Sequence, residues 1–495
     1  MGKYDIIIAG SGLGGLECAA ILSKEGYNVC VLEKNVLFGG CLQTYIRKGH
    51  QFDTGIHYIG SLDEGQIMNQ YFKYFGIMDK LNIKRLDTDS FDTIFYKDKV
   101  YNYAVGHDHF ADTLAQSFPH ERENLKAYTS ILKDVSRLID VDNLKKGSIA
   151  QNGMKYFYAS ATQMIADTVK DETLRSVLAA TSMLYGGIKN SSTFYHHAMT
   201  NNSYIESPYR FIDGTMQIAE RLIDVIRANG GTVLNNKEVT RLIVTDNQVT
   251  AAELNNEEIF EADHFISNIH PKRTLEILEK SRYIKNAYIS RINALPNSFG
   301  VFTTYLVMKP ESQAYINSNY YVHGTDNVWY NDDSSRDKIN NALLCFQCNS
   351  NSDYTDVISV LTPMYMSELK EWENTSVGKR GDDYIAFKKA YSNKVLEFLK
   401  GKGFDFSGKI ESIYSTTPLS YRDYTGTPYG SAYGIVKDCK FPELGFISTK
   451  TKLKNLYFTG QNMNVHGALG VTLTSMFTCA EFVGQEYLAK KVGNA

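Results

Sequence analysis

The stretch from Tyr4 to Glu33, YDIIIAGSGLGGLECAAILSKEGYNVCVLE, leaves this chain few choices of fold. It is a short apolar run, a glycine cluster, a helical stretch and a second apolar run that ends in an acid. Gly10, Gly12 and Gly15 form G-x-G-x-x-G, and each has a physical task. Gly10 permits the tight turn out of a strand, Gly12 lets a pyrophosphate approach the backbone, and Gly15 lets the helix lie close to the sheet. The free N–H groups and positive dipole end of that helix then face phosphate. Glu33 closes the second strand, where its carboxylate can accept hydrogen bonds from an adenosine ribose. The bland alternative is a βαβ turn without a ligand. A strand before the glycines, a helix after them and an acid at the expected distance favour a dinucleotide.

At 495 residues the chain is too long for one simple core, and two domains are expected. A net charge of −3 gives no bias towards nucleic acid or an acidic substrate. The seven cysteines, an odd number in apolar or motif contexts, read as free thiols in a reducing compartment. Cys345 and Cys348 make a C-x-x-C inside a strand-like run with no partner pair, so a metal or redox role is disfavoured. The first strand begins almost at Met1, which leaves no room for a signal peptide and points to a cytoplasmic protein. Asn455–Ala480 lacks Lys, Arg, Asp and Glu, but its Asn, Gln, Thr and Gly content argues against a membrane span.

After Glu33 and Lys34 come the paired glycines of Gly39-Gly40-Cys41-Leu42-Gln43-Thr44, which suggest backbone set against phosphate or ribose. Phe52-Asp53-Thr54-Gly55-Ile56-His57-Tyr58-Ile59-Gly60 follows, a small loop holding a His between apolar neighbours. From residue 61 to about 206 helical patterns dominate, with apolar residues at mixed three and four spacing over His109–Ser117, Glu121–Asp140 and Ala159–Leu184. Phe194-Tyr195-His196-His197 reads as core first and pocket second. From Tyr209 a βα pattern returns. A helix with Met216, Ala219, Leu222, Ile223 and Ile226 on one face precedes a strand at Thr232–Leu234, a hairpin from Val239 to Leu254 and an apolar run to Asn268. Strand-like runs at Val301–Met308, Ala342–Cys348 and Asp356–Leu361, with a helical pattern from Asp382 to Lys400, make a second block. Near the end, a strand closing in Thr459-Gly460-Gln461 and the turn Val465-His466-Gly467-Ala468-Leu469-Gly470-Val471 repeat the first βα device.

These features resemble the superfamily of flavin amine oxidases and phytoene desaturases. Within it, FDTGIHYIG and the later run YTGTPYGSAY (Tyr424–Tyr433) resemble the retinol saturase and carotenoid isomerase branches. The resemblance implies an α/β fold: a Rossmann-like FAD-binding domain of the glutathione-reductase and amine-oxidase type with an inserted α+β substrate domain. Residues 1–75, 207–280 and 446–495 are then expected in the FAD domain, and 76–206 and 281–445 in the substrate domain. It implies non-covalent FAD held first by Gly10, Ser11, Gly12, Leu13, Gly14 and Gly15, with Glu33 at the ribose and Lys34 beside the cofactor. Gly40, Thr44, Gly55, Ile56 and His57 are expected beside the cofactor, as are Val239 and Asn268 in the middle return. Gly460, Gln461, Gly467, Gly470 and Val471 complete the expected set.

The activity implied is oxidoreduction at carbon–carbon double bonds of a hydrophobic polyene or isoprenoid. Saturation, by hydride transfer from flavin and protonation, is expected ahead of desaturation or isomerisation. An amine oxidase and a flavin- or lipid-binding protein without turnover are the rivals. His57 is the candidate for the proton, since an imidazole titrates in the right range, and Tyr58 is next. A lipid substrate implies peripheral contact with a membrane surface. NAD(P)H is a candidate electron donor, although no second G-x-G-x-x-G is present to hold it. No metal-ligand cluster and no G-x-S-x-G elbow is visible. Many superfamily members carry Arg or Lys where this chain has Cys41, and Arg47 or Lys48 is expected to stand in.

Overall fold

Strand Tyr4–Ala9 sits at the centre of the first of two large sheets in a computed structural model that describes residues 3–139, 151–330, 339–463 and 465–495. It pairs in parallel with Val29–Leu32 on one side and with Ile259–Ser267 on the other. Thr232–Leu234 extends the first side, and Leu456–Phe458 joins the end of Ile259–Ser267, both in parallel. The first half of Ile259–Ser267 pairs antiparallel with Gln248–Leu254, whose hairpin partner is Val239–Thr245.

Both faces of this sheet are covered, which is why the sequence shows continuous apolar runs instead of alternation. Ile6, Ile8, Val29 and Val31 pack into the helical layer, while Ile7, Cys30 and Leu32 pack with Leu242, Val249 and Phe260 from the hairpin side. In the helical layer, Leu13–Lys24 lies against both Met216–Ala228 and Gly467–Val483. The first and third glycines of the opening motif make that layer possible. A Cβ on Gly15 would stand 2.1 Å from the carbonyl oxygen of Gly10, so only glycine lets helix and strand approach.

The second sheet runs Ile410–Thr416, Gly300–Met308, Val357–Met364, Asn341–Phe346, Asn319–His323, Asp92–Tyr96 and Lys99–Tyr103. All its pairings are antiparallel except Asn319–His323 with Asp92–Tyr96. Alternation sorts its residues: Phe302, Leu306 and Val360 face the helix Gly381–Gly401, whereas Val301 and Leu361 face back towards the first sheet. The architecture is a Rossmann-type α/β layer carrying an inserted α+β unit.

Three expectations need correction. The hairpin Asp92–Tyr96 and Lys99–Tyr103 lies where helical patterns dominated the sequence. Its two-residue turn, Lys97-Asp98, has φ of 50° and 57°, the left-handed pair that matches strand twist, although neither residue is glycine. Ala159–Leu184 is not one helix. Ser160 caps Ala161–Thr168 by accepting from Gln163 N, and Asp171 caps Glu172–Leu178 by accepting from Leu174 N, so the periodicity continues across two starts. The helix expected from Glu121 runs from Arg122 to Ser136 and tightens into Arg137–Ile139, and Asp140 lies outside the described residues.

Candidate functional site

A cleft of about 770 Å³ runs past the C-terminal ends of the parallel strands and is closed by the second sheet. Residues at the ends of four of those strands line it: Gly10, Glu33 and Asn268 directly after theirs, and Gly460 two residues after Phe458. Ligands bind at that edge of an open α/β sheet.

Its floor is bare backbone. Gly10 (φ 95°), Gly39 (101°) and Gly40 (56°) adopt conformations that disfavour a side chain. A Cβ on Gly14 would stand 2.8 Å from Oδ1 of Asn268 and 3.1 Å from Cα of Gly460, and one on Gly40 would stand 3.2 Å from Cα of Gly12. Two helices begin here without side-chain caps, Leu13–Lys24 after Gly12 and Gly467–Val483 after His466. Their orphan N–H groups and positive dipole ends meet at the same cleft, which suits a pyrophosphate.

Glu33 stands where the ribose acceptor is expected, but protein donors already hold it. Oε2 accepts from the backbone N–H of Ser11 at 2.9 Å and its hydroxyl at 2.6 Å, and Oε1 accepts from Asn35 N at 2.9 Å. A carboxylate has about four acceptor positions, so capacity for a ribose hydroxyl remains. Lys34 lines the cleft and donates to the carbonyl of Asp423 at 2.6 Å, with burial holding its pKa below the usual ammonium range. Val239 lines the same end, beside Lys237 and Glu238.

Positive charge reaches the cleft from segments that sequence reading passed over. Lys237, Lys272, Arg273 and Arg422 all line it. Arg47 and Lys48 do not. They sit on the hairpin Thr44–Arg47/His50–Asp53, where Arg47 lies 4.7 Å over the ring of Tyr414 and Lys48 occupies the turn at φ 52°. The hairpin carries both away from the groove, so neither stands in for the cation missing at Cys41.

Of the other expected residues, Leu13, Gly12, Gly55, Ile56, Gln461, Gly467 and Val471 line the cleft. Ser11 lies behind it, holding Glu33, and Gly15 is a helix–strand contact. Thr44 donates to Oδ1 of Asp53 at 2.6 Å and accepts from Met216 N, fixing the start of Met216–Ala228. Gly470 packs against Val465, whose carbonyl carbon would stand 2.6 Å from an added Cβ. The buried pair His196 and His197 belongs to the core; His197 bridges the hydroxyls of Tyr128 at 2.7 Å and Tyr185 at 2.9 Å.

Neither His57, which is half-buried, nor Tyr58, which is buried, lines the cleft. The Nε2 of His57 is buried with no hydrogen-bond partner, and desolvation together with the Arg210 guanidinium pushes its pKa down to about 4. The imidazole is therefore neutral near pH 7, and its charge change lies far from the neutral range expected of it. Tyr58 is buried; its hydroxyl donates to Oδ2 of Asp92 at 3.1 Å and is 2.6 Å from that of Tyr321. Burial pushes Asp92 up to about 7.

At the far end the wall turns apolar and aromatic. Val301 and Leu361 from the second sheet meet Ile56, Met366, Ala432, Tyr421 and Tyr433. Tyr421 is fixed by donating to the carbonyl of Thr54 at 2.6 Å. Ring-lined space beside two helix N-termini and a glycine floor fits an FAD laid lengthwise, its pyrophosphate in the middle. Among the described residues no group of His, Cys, Asp and Glu is placed to hold a metal, and no helix is long and apolar enough to cross a membrane. Cys345 and Cys348 are free buried thiols.

Comparison with known proteins agrees with this geometry. The profile of the family described as flavin containing amine oxidoreductase matches residues 13–338. The all-trans-retinol 13,14-reductase of Danio rerio is 25% identical over 97% of this chain and 86% of its own length. A phytoene desaturase (neurosporene-forming) of Cereibacter sphaeroides is 22% identical over 87% of this chain and 84% of its own. An oxidoreductase structure from Methanosarcina mazei has a TM-score of 0.62 at 17% identity, covering 95% of this chain and 99% of that one, a likeness of fold. With a family match over most of its length and a cleft built for its cofactor, this chain belongs to the flavin containing amine oxidoreductases and is an FAD-dependent oxidoreductase.

Proposed function

We propose that this enzyme saturates a carbon–carbon double bond of an apolar polyene of retinoid or carotenoid type. The observation that carries the reading is the cleft's closed end, where both strand residues contributed by the second sheet, Val301 and Leu361, are aliphatic. Each methylene buried there contributes ~0.8 kcal/mol, so a long hydrocarbon is held without polar contacts. Similarity to all-trans-retinol 13,14-reductase along almost the whole chain supports the same substrate class. Residues 1–75, 207–280 and 446–495 form the cofactor domain in this proposal, and 76–206 and 281–445 the substrate domain.

FAD, when bound, supplies the two-electron chemistry. The chain's own part is position and dryness. The glycine floor with Asn268 and the two uncapped helix ends hold the pyrophosphate, Glu33 receives the ribose with Lys34 beside it, and Val239 flanks the adenosine half. Gln461, Gly467 and Val471 back the flavin end. Gly55 and Ile56 shape the floor under the polyene, and His57 and Tyr58 hold that floor from behind through the Tyr58–Asp92–Tyr321 contacts. A substrate of this class resides in membranes, so transient docking on a lipid surface belongs to the proposal, with the cytoplasm as the proposed compartment. NAD(P)H is the proposed electron source.

The test is product mass. Purified protein with chemically reduced flavin is given all-trans-retinol or a carotene in deuterated water. Saturation adds two hydrogens, with solvent deuterium at the protonated carbon. A product that has lost two hydrogens makes the enzyme a desaturase, and one of unchanged mass makes it an isomerase.

A further inference from the structure

Saturation needs a proton as well as a hydride, and the groups first in line for it are already engaged or set back. Tyr58 is tied to Asp92 and Tyr321. Tyr421 lines the cleft but donates to Thr54. His270 also lines it, yet Nε2 pairs with Oδ1 of Asn297 at 3.0 Å and Nδ1 accepts from Lys272 N. His57 stands off the wall. Tyr433 differs from all of these. It lies deep in the protein and lines the apolar end of the cleft, and its hydroxyl has no hydrogen-bond partner among the described residues.

The backbone around it is fixed on both sides. Tyr433 N donates to Oγ of Ser298 at 3.0 Å, Ser298 N to the carbonyl of Gly434 at 2.8 Å, and Ala432 N to the carbonyl of Phe299 at 3.0 Å. Ile435 N donates to Oδ1 of Asn462 at 3.1 Å, and Asn462 itself lines the cleft. Gly434 is at φ 66°, and a Cβ there would stand 2.0 Å from Asn462 Oδ1. The ring lies 6.2 Å from Phe299 and 5.3 Å from His466, which begins the second uncapped helix. A phenol so held, with a free O–H pointed at no protein acceptor, is preorganised for a ligand.

On the reading above as a saturase, we propose that the Tyr433 hydroxyl delivers the proton to the double-bond carbon that does not receive the hydride. Two electrons and one hydrogen come from reduced flavin and form the first C–H bond. The π pair of the substrate takes the phenolic proton and forms the second. The phenolate regains a proton from water, and the flavin is reduced again by a reduced nicotinamide, or by dithionite in the assay. Burial raises the Tyr433 pKa, so the phenol stays protonated through the neutral range and yields its proton only to the strongly basic centre created by hydride addition.

The experiment is a single turnover: reduced flavin mixed anaerobically with all-trans-retinol in parent and Tyr433→Phe, with retinol binding followed separately by perturbation of the oxidised flavin spectrum. Tyr433→Phe is expected to keep FAD and to bind retinol within about threefold of the parent, while the turnover rate falls ~100-fold or more, the contribution of a placed general acid. The parent rate is expected to stay flat from about pH 6 to 9, because the Tyr433 phenol remains protonated. 3-Fluorotyrosine placed at 433 is expected to shift its resonance when retinol binds the oxidised enzyme. Turnover of Tyr433→Phe within severalfold of the parent, or an unmoved fluorine resonance, overturns the assignment alone. A parent that converts no polyene overturns the saturase reading, and this role with it.

Discussion

At Gly14 a single hydrogen atom in place of a side chain lets the floor of the cofactor groove close up against Asn268 and Gly460. The added Cβ would fall 2.8 Å from Asn268 Oδ1 and 3.1 Å from the Gly460 backbone, so the Asn268 amide must turn and the Gly460 backbone must give by a few tenths of an ångström. Gly12 faces Asn268 Nδ2 at 3.0 Å in the same way. Gly12→Val and Gly14→Val are therefore expected to purify colourless, and a stoichiometric flavin spectrum in either would show that the pyrophosphate lies elsewhere. Glu33→Ala removes a charged acceptor whose hydrogen bond contributes about 1.5–3 kcal/mol, so FAD affinity by fluorescence titration should fall roughly tenfold to a hundredfold. Unchanged affinity would mean that Glu33 serves only Ser11 and Asn35. The glycines and Glu33 were legible in the sequence because a left-handed turn and a strand-end acid are local demands. Lys272, Arg273 and Arg422 were not, because their arrival at the cleft depends on how distant segments fold over the strand ends.

At the scale of elements, the helix pair Leu13–Lys24 and Gly467–Val483 encloses a carboxyl. Glu17 is fully buried between them, with Thr472 Oγ1 donating to it at 2.6 Å and Ser475 Oγ at 2.9 Å. Burial outweighs those two bonds and raises its pKa to about 8. The folded state therefore binds a proton that the unfolded chain gives up near pH 4.5. That contribution to stability is complete below the unfolded value and disappears as pH rises through about 8. Between those limits the slope is about 1.4 kcal/mol per pH unit. Melting temperature should fall from pH 6 to 9 in the parent and fall less in Glu17→Gln, which carries no charge to bury; parallel curves would show that Glu17 is ionised in the fold. The two helices were readable from their glycine-led starts, as was Met216–Ala228 from its apolar face. The hairpin at Asp92–Tyr103 was hidden because a Lys-Asp turn carries no glycine signal, and the breaks before Ala161 and Glu172 were hidden because caps renew a helix without disturbing its apolar period.

Across the whole molecule, a buried guanidinium anchors the second sheet to the short strand from which the chain re-enters the cofactor layer. Arg210 lies on Tyr209–Phe211, just before the chain re-enters the cofactor layer. Its guanidinium donates to the carbonyls of Phe346, Ile316 (3.1 Å) and Ser318 (3.2 Å) and to Asn319 Oδ1. Asn319 donates in turn to Asp92 at 2.9 Å, and Asp92 accepts from Tyr58, three residues from the cleft floor at Gly55. Arg210→Met would leave three carbonyls and an amide oxygen buried without this donor. At about 1–3 kcal/mol for each buried group left unsatisfied, a loss of several kcal/mol is expected. A chain of this length need not unfold in one step, and it carries its own separate probes. The two tryptophans, Trp329 and Trp372, both lie outside the first sheet, with Trp372 in the core under Gly381–Gly401, whereas release of flavin reports on the glycine floor. In the parent, tryptophan emission and flavin release should change together with urea. In Arg210→Met the tryptophan transition should move to lower urea and precede flavin release, since the second sheet loses its anchor while the floor keeps its own contacts. Coincident transitions at the parent midpoint would show that the second sheet is held without Arg210.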